Sequence, residues 1–204
     1  TNVTFPTTGT LATLAGTETL TNKTISTGLV TVAGTGATAV SLANRFAQIV
    51  NVKNFGATGD GTTNDHAAIV LAMLSLTNNS CLYFPAGVYA VGDWLSFDIA
   101  YAQVSSGSLT NISIIGDGMG TSTIKNINSF SNPPYRPSWG QTGGVVISVP
   151  STCSHFNIYN ITLDGNCLKR LNGQHAVLFD ASYSHFRNVE VLNSGQFSFS
   201  IGEN

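Results

Sequence analysis

Five carboxylates beyond residue 110 are of a type that could cut a glycosidic bond: Asp117, Asp164, Asp180, Glu190 and Glu203. Such hydrolysis uses two of them, roughly 5–5.5 Å apart for retention and roughly 6.5–9.5 Å apart for inversion. Asp117-Gly118 and Asp164-Gly165 each follow an apolar run and read as turn formers, whose side chains bond their own backbone. Asp180 closes the run Ala176–Phe179, and Glu190 alternates with Val189 and Val191. That leaves Asp180 and Glu190 as the candidate catalytic pair. Elimination on a uronate would instead need a basic or phenolic proton acceptor and a cation, types supplied by His155, His185, Tyr159, Lys169 and Arg170. Tyr135 and Trp139 have rings suited to stacking on a sugar, as substrate-binding residues. The three cysteines and four histidines show no CxxC or HxxxH spacing, so no metal is assigned and no cofactor is expected.

The chain that must position these residues is unusually poor in charge. Of 204 residues, 8 are Lys or Arg and 10 are Asp or Glu, which is 9% charged and a net −2. An ordinary soluble domain carries about 25%. Thr, Asn, Ser and Gly (24, 19, 21 and 21 residues) fill the difference. No basic stripe exists to displace phosphate counterions, which argues against nucleic acid as a partner. At 42% hydrophobic the chain can build a core, and disorder is not expected. No run of about 18 apolar residues occurs, so membrane insertion is not expected. No charged segment followed by an apolar one marks a secretory signal.

Residues 52–91 hold the clearest local order. Val52–Gly61 begins as a strand and ends in a turn that Gly59 and Gly61 suit. Thr62-Thr63-Asn64-Asp65 offers helix N-caps, and Ala67–Leu76 is predicted as helix, with Ile69, Met73 and Leu76 on one face, widened by Val70 and Leu74. Cys81–Phe84 and Val88–Val91 read as strands around the turn Pro85-Ala86-Gly87.

Further on, Asn111-Ile112-Ser113-Ile114, Asn160-Ile161-Thr162-Leu163 and Asn188-Val189-Glu190-Val191 share one pattern. The last two are led by the matching tripeptides Ser154-His155-Phe156 and Ser184-His185-Phe186, which makes His155 and His185 equivalent repeat positions. A second strand family interleaves at Val145–Val149, Ala176–Phe179 and Phe197–Ile201. Offsets of roughly 20–30 residues are those of a solenoid. Alternation then predicts Ser113, Thr162 and Glu190 on one outer face. The Pro-rich stretch 129–144 interrupts the pattern as a protruding loop.

The elements Val52 to Asp65 and Tyr83 to Tyr89 resemble the opening of the pectate-lyase-like right-handed β-helix superfamily. The resemblance implies a mainly β chain, a right-handed parallel β-helix whose apolar end is covered by an N-terminal capping helix. Asp60 and Asp65 would be turn and cap residues there.

Residues 1–44 are different: they carry 14 of the 24 Thr and two charges, Glu18 and Lys23. Such a segment cannot bury a core alone. Leu20-Thr21-Asn22-Lys23-Thr24-Ile25 resembles elements of bacteriophage tail fibres and tailspikes. Two domains are expected: a Thr-rich extended neck at 1–44, and the cap with the first coils at 45–204. The resemblance implies a homotrimer on a phage tail, attached through 1–44 to tail, baseplate or adaptor proteins. Its partner outside the virion would be host surface polysaccharide. The start at Thr1 and the strand-like end suggest the N-terminal portion of a longer protein, with depolymerase chemistry mainly beyond it. Two other readings stay open: a structural or receptor-binding virion protein without catalysis, and a secreted pectin-type hydrolase or lyase.

Overall fold

A computed structural model describes residues 29–30, 40–41, 48–97, 102–127, 135–136, 141–142, 146–166, 175–194 and 197–201. Contacts divide the chain into two compact units, Thr1–Leu42 and Ala43–Asn204. In the first, β1 (Leu29–Val30) and β2 (Val40–Ser41) pair antiparallel, with Val30 opposite Val40. The rest of the expected neck lies outside the described residues.

The second unit is mainly β, and its strands are short because the chain turns after every few residues. β3 (Ile49–Asn51) leads into a 3₁₀ turn, Val52–Phe55, where a continuing strand was predicted. Gly56 ends that turn with φ +101. β4 (Asp60–Asn64) precedes helix α1 (His66–Leu74). β5 (Cys81–Phe84) and β6 (Gly87–Val91) flank the Pro-Gly turn, and β7 (Leu95–Ser96) completes a rung. β8 (Thr110–Gly116), β9 (Ser122–Asn126), β10 (Tyr135–Arg136), β11 (Gln141–Thr142) and β12 (Ile147–Val149) follow. β13 (Ser154–Asp164), β14 (His175–Phe179), β15 (His185–Leu192) and β16 (Phe197–Ile201) end the order.

Pairing is parallel throughout this unit except for the small hairpin β10–β11. One ladder runs β3-β5-β8-β13-β15, a second β4-β6-β9-β13, and a third β7-β12-β14-β16. β13 bends at Asn160 (φ 53) and serves two ladders, its first half pairing β8 and its second half β9. Parallel rungs stack about 4.8 Å apart, so like side chains lie over like. The inward rows are Val50–Leu82–Ile114–Ile158 and Tyr89–Ile124–Leu163. They meet Leu95–Ile147–Val177 from the third ladder in one buried cluster.

Helix α1 turns Ile69, Ala72 and Met73, with Leu76 just beyond it, into that cluster. Leu74 is 38% exposed and Leu71 55%, so the buried stripe is narrower than its composition implied. Asp65 occupies the N-cap but does not cap with its side chain. Its carboxylate turns back to accept from Thr58 N (2.7 Å), Thr58 Oγ1 (2.9 Å) and Gly59 N (3.0 Å).

Cys153 is buried and Cys81 half-buried; Cys167 lies outside the described residues. Burial pushes the Cys81 thiol up to about 11 from 9.0. At pH 8 that leaves about a hundredfold less thiolate than an unperturbed cysteine. Alkylation of Cys81, followed by peptide mass mapping, should therefore be correspondingly slow at pH 8 and accelerate as pH approaches 11. Labelling at the rate of a free thiol would contradict the burial.

Candidate functional site

Alternation along β13 and β15 decides what faces outward. The register pairs Asn157 with His185 and Tyr159 with Arg187, while Ile158 and Phe186 turn inward. The same rows continue back through earlier rungs as Cys81–Ser113–Asn157 and Tyr83–Ile115–Tyr159. The outer face therefore changes character along the solenoid. Its early rungs hold a thiol, a phenol, a hydroxyl and an isoleucine. Its last two described rungs hold two phenols, two imidazoles, three amides and a guanidinium: His155, Asn157, Tyr159 and Asn160 above Tyr183, His185, Arg187 and Asn188.

The edges of this platform are fixed by left-handed backbone. On one side Asn79, Asn111, His155 and Tyr183 stand in line with φ of 65, 56, 51 and 53. Asparagine accepts this conformation readily, histidine less so, and a bulky tyrosine rarely. The first two positions are joined by an amide bond, Asn111 Nδ2 donating to Asn79 Oδ1 at 2.9 Å. The last two are joined by ring stacking, His155 on Tyr183 at 5.2 Å and 21°. On the other side Asn188 Nδ2 donates to Asn160 Oδ1 at 2.9 Å, with φ of 51 and 53. Asn157 Oδ1 accepts from His185 N (3.1 Å) and lies 3.3 Å from His185 Nδ1. That contact assigns the proton of a neutral ring to Nδ1 and leaves Nε2 as an acceptor.

Ile115, Tyr159 and Asn160 from one side, and His185, Phe186, Arg187 and Asn188 from the other, line an open groove of about 650 Å³. Beneath it, on the inner side of the sheet, Phe186 packs edge-on to Phe179 at 4.8 Å. Among the described residues no carboxylate lines it. Chemically it offers ring faces, amide donors and acceptors, one imidazole and one permanent positive charge.

The residues named from sequence fall elsewhere or only partly here. Asp180 directly follows β14 of the third ladder, and its backbone N donates to Val149 O at 2.9 Å. Glu190 lies in the second half of β15, in a different sheet, and its Oε2 accepts from Thr162 Oγ1 at 2.9 Å. Thr162 Oγ1 in turn accepts from Gly120 N at 2.8 Å, so Glu190 holds a turn as well as its own rung. Thr162 and Glu190 share a row as expected, but Ser113 does not join them; it pairs with Asn157. The reason is that Asn111 occupies the first left-handed corner and Asn160 the second, so their shared motif marks two different bends. Asp117 accepts from Tyr83 Oη (2.6 Å) and Ala86 N (2.8 Å), and Asp164 Oδ1 from Asn166 N (2.8 Å) and Asn193 Nδ2 (2.8 Å). Both carboxylates are thus turn builders. The bond to Asp117 also raises the Tyr83 phenol above its ordinary range. Tyr135 belongs to β10, with its side chain outside the description; Trp139, Lys169, Arg170 and Glu203 lie outside the described residues. Of the proton-transfer candidates, the structure brings Tyr159 and His185 into one groove. Sequence reading missed Arg187, although the matched leader that exposed His185 places residue 187 on the same face two residues later.

Among the described residues no group of three or more His, Cys, Asp or Glu is placed to hold a metal. Among them, too, no helix is long and apolar enough to cross a membrane.

Residues 49–136 match the family described as rhamnogalacturonase A/epimerase, pectate lyase-like. Mannuronan C5-epimerase AlgE3 of Azotobacter vinelandii is 35% identical over 121 residues, which cover 57% of this chain and 6% of that protein. Alginate lyase 7 of the same organism is 32% identical over 124 residues, covering 57% of this chain and 12% of its own length. The chain therefore spans a small fraction of these curated relatives. Among solved structures, bacteriophage phi29 gene product 12 in its pre-mature form superposes with a TM-score of 0.57 at 19% identity, over 76% of this chain and 19% of that one. At that identity the likeness is one of fold.

Proposed function

We propose that this pectate-lyase-like chain is the N-terminal part of a bacteriophage tailspike or tail fibre that recognises host surface polysaccharide. The observation that carries the reading is the outer platform of β13 and β15. A merely solvated sheet face needs small polar residues, whereas this one presents aromatic rings, paired amides and a guanidinium beside an open groove. Sugars are held by such rings and amides, which cover their C–H faces and satisfy their hydroxyls. The names of the relatives, a mannuronan epimerase and an alginate lyase, support polysaccharide as the ligand class. The phage origin of a structure sharing the fold, together with the Leu20–Ile25 element, supports the tail assignment.

In this reading the solenoid is a right-handed β-helix, α1 covers its first rung, and residues 1–44 form the neck that joins three copies to the tail. Burial of Ile69, Ala72, Met73 and Leu76 in the common core supports the capping role. Depolymerase activity, in this reading, is an added possibility located mainly beyond these residues.

The test is binding of the full chain to purified host capsule or lipopolysaccharide, by affinity electrophoresis, alongside a mass measurement in solution. Retarded migration and a threefold mass are expected. No retardation on any host glycan would remove the recognition role, and a monomeric mass would remove the trimer. Release of reducing ends, or of unsaturated sugar absorbing in the ultraviolet, separates an enzyme from a binder.

A further inference from the structure

We propose that the outward face of helix α1 is a contact between copies of this chain, its occupant being the same face of a second copy; this rests on the association of copies through residues 1–44 put forward above. Every residue of α1 from Ala67 to Leu74 is apolar. An ordinary surface helix buries one stripe and presents polar side chains on the other, and a helix that is apolar all round is normally covered all round. Here Ile69, Ala72 and Met73 enter the core. Ala67, Leu71 and Leu74 stand exposed, with Val70 half-buried beside them. Positions 67, 70, 71 and 74 follow the i, i+3, i+4, i+7 spacing of one helix face, so these side chains form a continuous stripe. Single apolar residues scattered on a surface need no explanation, but a stripe marks a contact.

Three features select a second copy as the occupant. The first is charge. Residues 61–80 contain a single Asp, Glu, Lys or Arg, which is Asp65, and its buried carboxylate is taken up by Thr58 and Gly59. Thr62 and Thr63 before the helix, and Thr77, Asn78 and Asn79 after it, are exposed and uncharged. A charged partner finds no counter-charge here, whereas a neutral apolar stripe complements another of its kind. The second feature is the preceding unit. Among the described residues its strands β1 and β2 are two residues long and pair only with each other. So small a hairpin does not hold alone in water, and the Thr-rich chain around it cannot bury a core. The third is the length of the connection. Only residues 43–65 separate that unit from α1, so copies joined through it keep their helices at high local concentration. One nine-residue helix face falls short of the about 800 Å² per partner that a stable interface buries, so the stripe adds to association through residues 1–44 and does not replace it. Around a threefold axis three such stripes meet side by side.

The test measures mass in solution against concentration for the full chain, for Leu71→Glu/Leu74→Glu, and for Met119→Glu, a similarly exposed residue in the turn after β8. The double variant should dissociate at a concentration at least about tenfold higher than wild type, because the contact would enclose unpaired carboxylates. Met119→Glu should dissociate as wild type does. An unchanged circular dichroism spectrum checks that the double variant is folded. Leu71→Cys gives a second readout: mild oxidation should join two copies through position 71, identified by peptide mapping, and Met119→Cys should give no such link. If the double variant loses its fold, the cross-link decides alone. Wild-type dissociation of a folded double variant, or no link through position 71, would overturn the α1 contact and leave the stripe to another protein, with association through residues 1–44 still standing. A wild type that is monomeric at every concentration would overturn both.

Discussion

Replacing Asp65 by alanine should cost about 4 kcal/mol and lower the melting temperature by roughly 10 °C. The carboxylate is 1% exposed and accepts three hydrogen bonds, from Thr58 N, Thr58 Oγ1 and Gly59 N. Bonds to a charged acceptor are worth about 1.5–3 kcal/mol each, and their removal here strands two backbone donors under the first rungs. The turn it fixes is the one against which Tyr89 packs: a Cβ added at Gly59 would stand 3.0 Å from the Tyr89 ring. Tyr89 is itself fully buried and donates to Pro85 O at 2.8 Å, so loosening residues 58–59 unseats a core ring. Asp65→Asn keeps one acceptor oxygen and should lose about half as much. Asp60 provides the comparison. It also accepts three bonds, from Thr62 N, Thr63 N and Thr63 Oγ1, and these hold its carboxyl well below the usual range. Because it stands in solvent, Asp60→Ala should shift the melting temperature far less. Equal shifts for the two variants would show that burial does not set the scale.

Gly116→Ala should be comparably damaging, at about 3 kcal/mol or more. Gly116 ends β8 at the second corner, where the next rung passes directly over it. A Cβ there would collide with the Asn160 carbonyl oxygen and stand 2.7 Å from Ser122 Cβ. Neither neighbour can yield cheaply. Asn160 carries the left-handed bend of β13, and Ser122 Oγ both donates to Phe84 O (2.8 Å) and accepts from Asp117 N (2.9 Å). Gly120→Ala separates collision from backbone preference: nothing lies within 4 Å of that Cβ, but φ is +71. Its cost should be the left-handed penalty alone, about 1–2 kcal/mol. Thermal denaturation of both variants checks this, and a Gly116→Ala protein as stable as wild type would mean that the rungs are not stacked at this corner as described. That variant should also weaken glycan binding, because the Asn160–Asn188 pair flanks the groove.

Some of this order was visible in the residues themselves. The β class followed from scarce charge and abundant Thr, Asn, Ser and Gly, which coat sheets and turns rather than salt-bridged helices. Residues 52–91 announced strand, helix, strand, Pro-Gly turn and strand through caps and breakers that act over a few positions. Such signals are local, so a single sequence carries them. The 28-residue offset between Asn160 and Asn188 marks one rung, since β13 and β15 pair at that offset. Where chain of irregular length intervened, the same motif misled. Asn111 and Asn160 look alike because both take φ near +55, yet they serve different corners.

Register between rungs is set by which apolar side chains stack in the core, Ile114 on Ile158 rather than on Leu163. That choice depends on contacts across 44 residues of intervening chain, and alternation alone cannot fix it. The same limit applied to the site. Asp180 and Glu190 were singled out by residue type, but pairing placed them in different sheets. Arg187 was one of few cations and carried no motif. Only the register showed that it stands one rung from Tyr159, on a groove that no acid lines among the described residues. Sequence thus determined the local units and the repeat, because caps, turns and alternation are short-range. Only the tertiary structure decided which side chains became neighbours, because in a parallel solenoid every lateral contact joins residues a full rung apart.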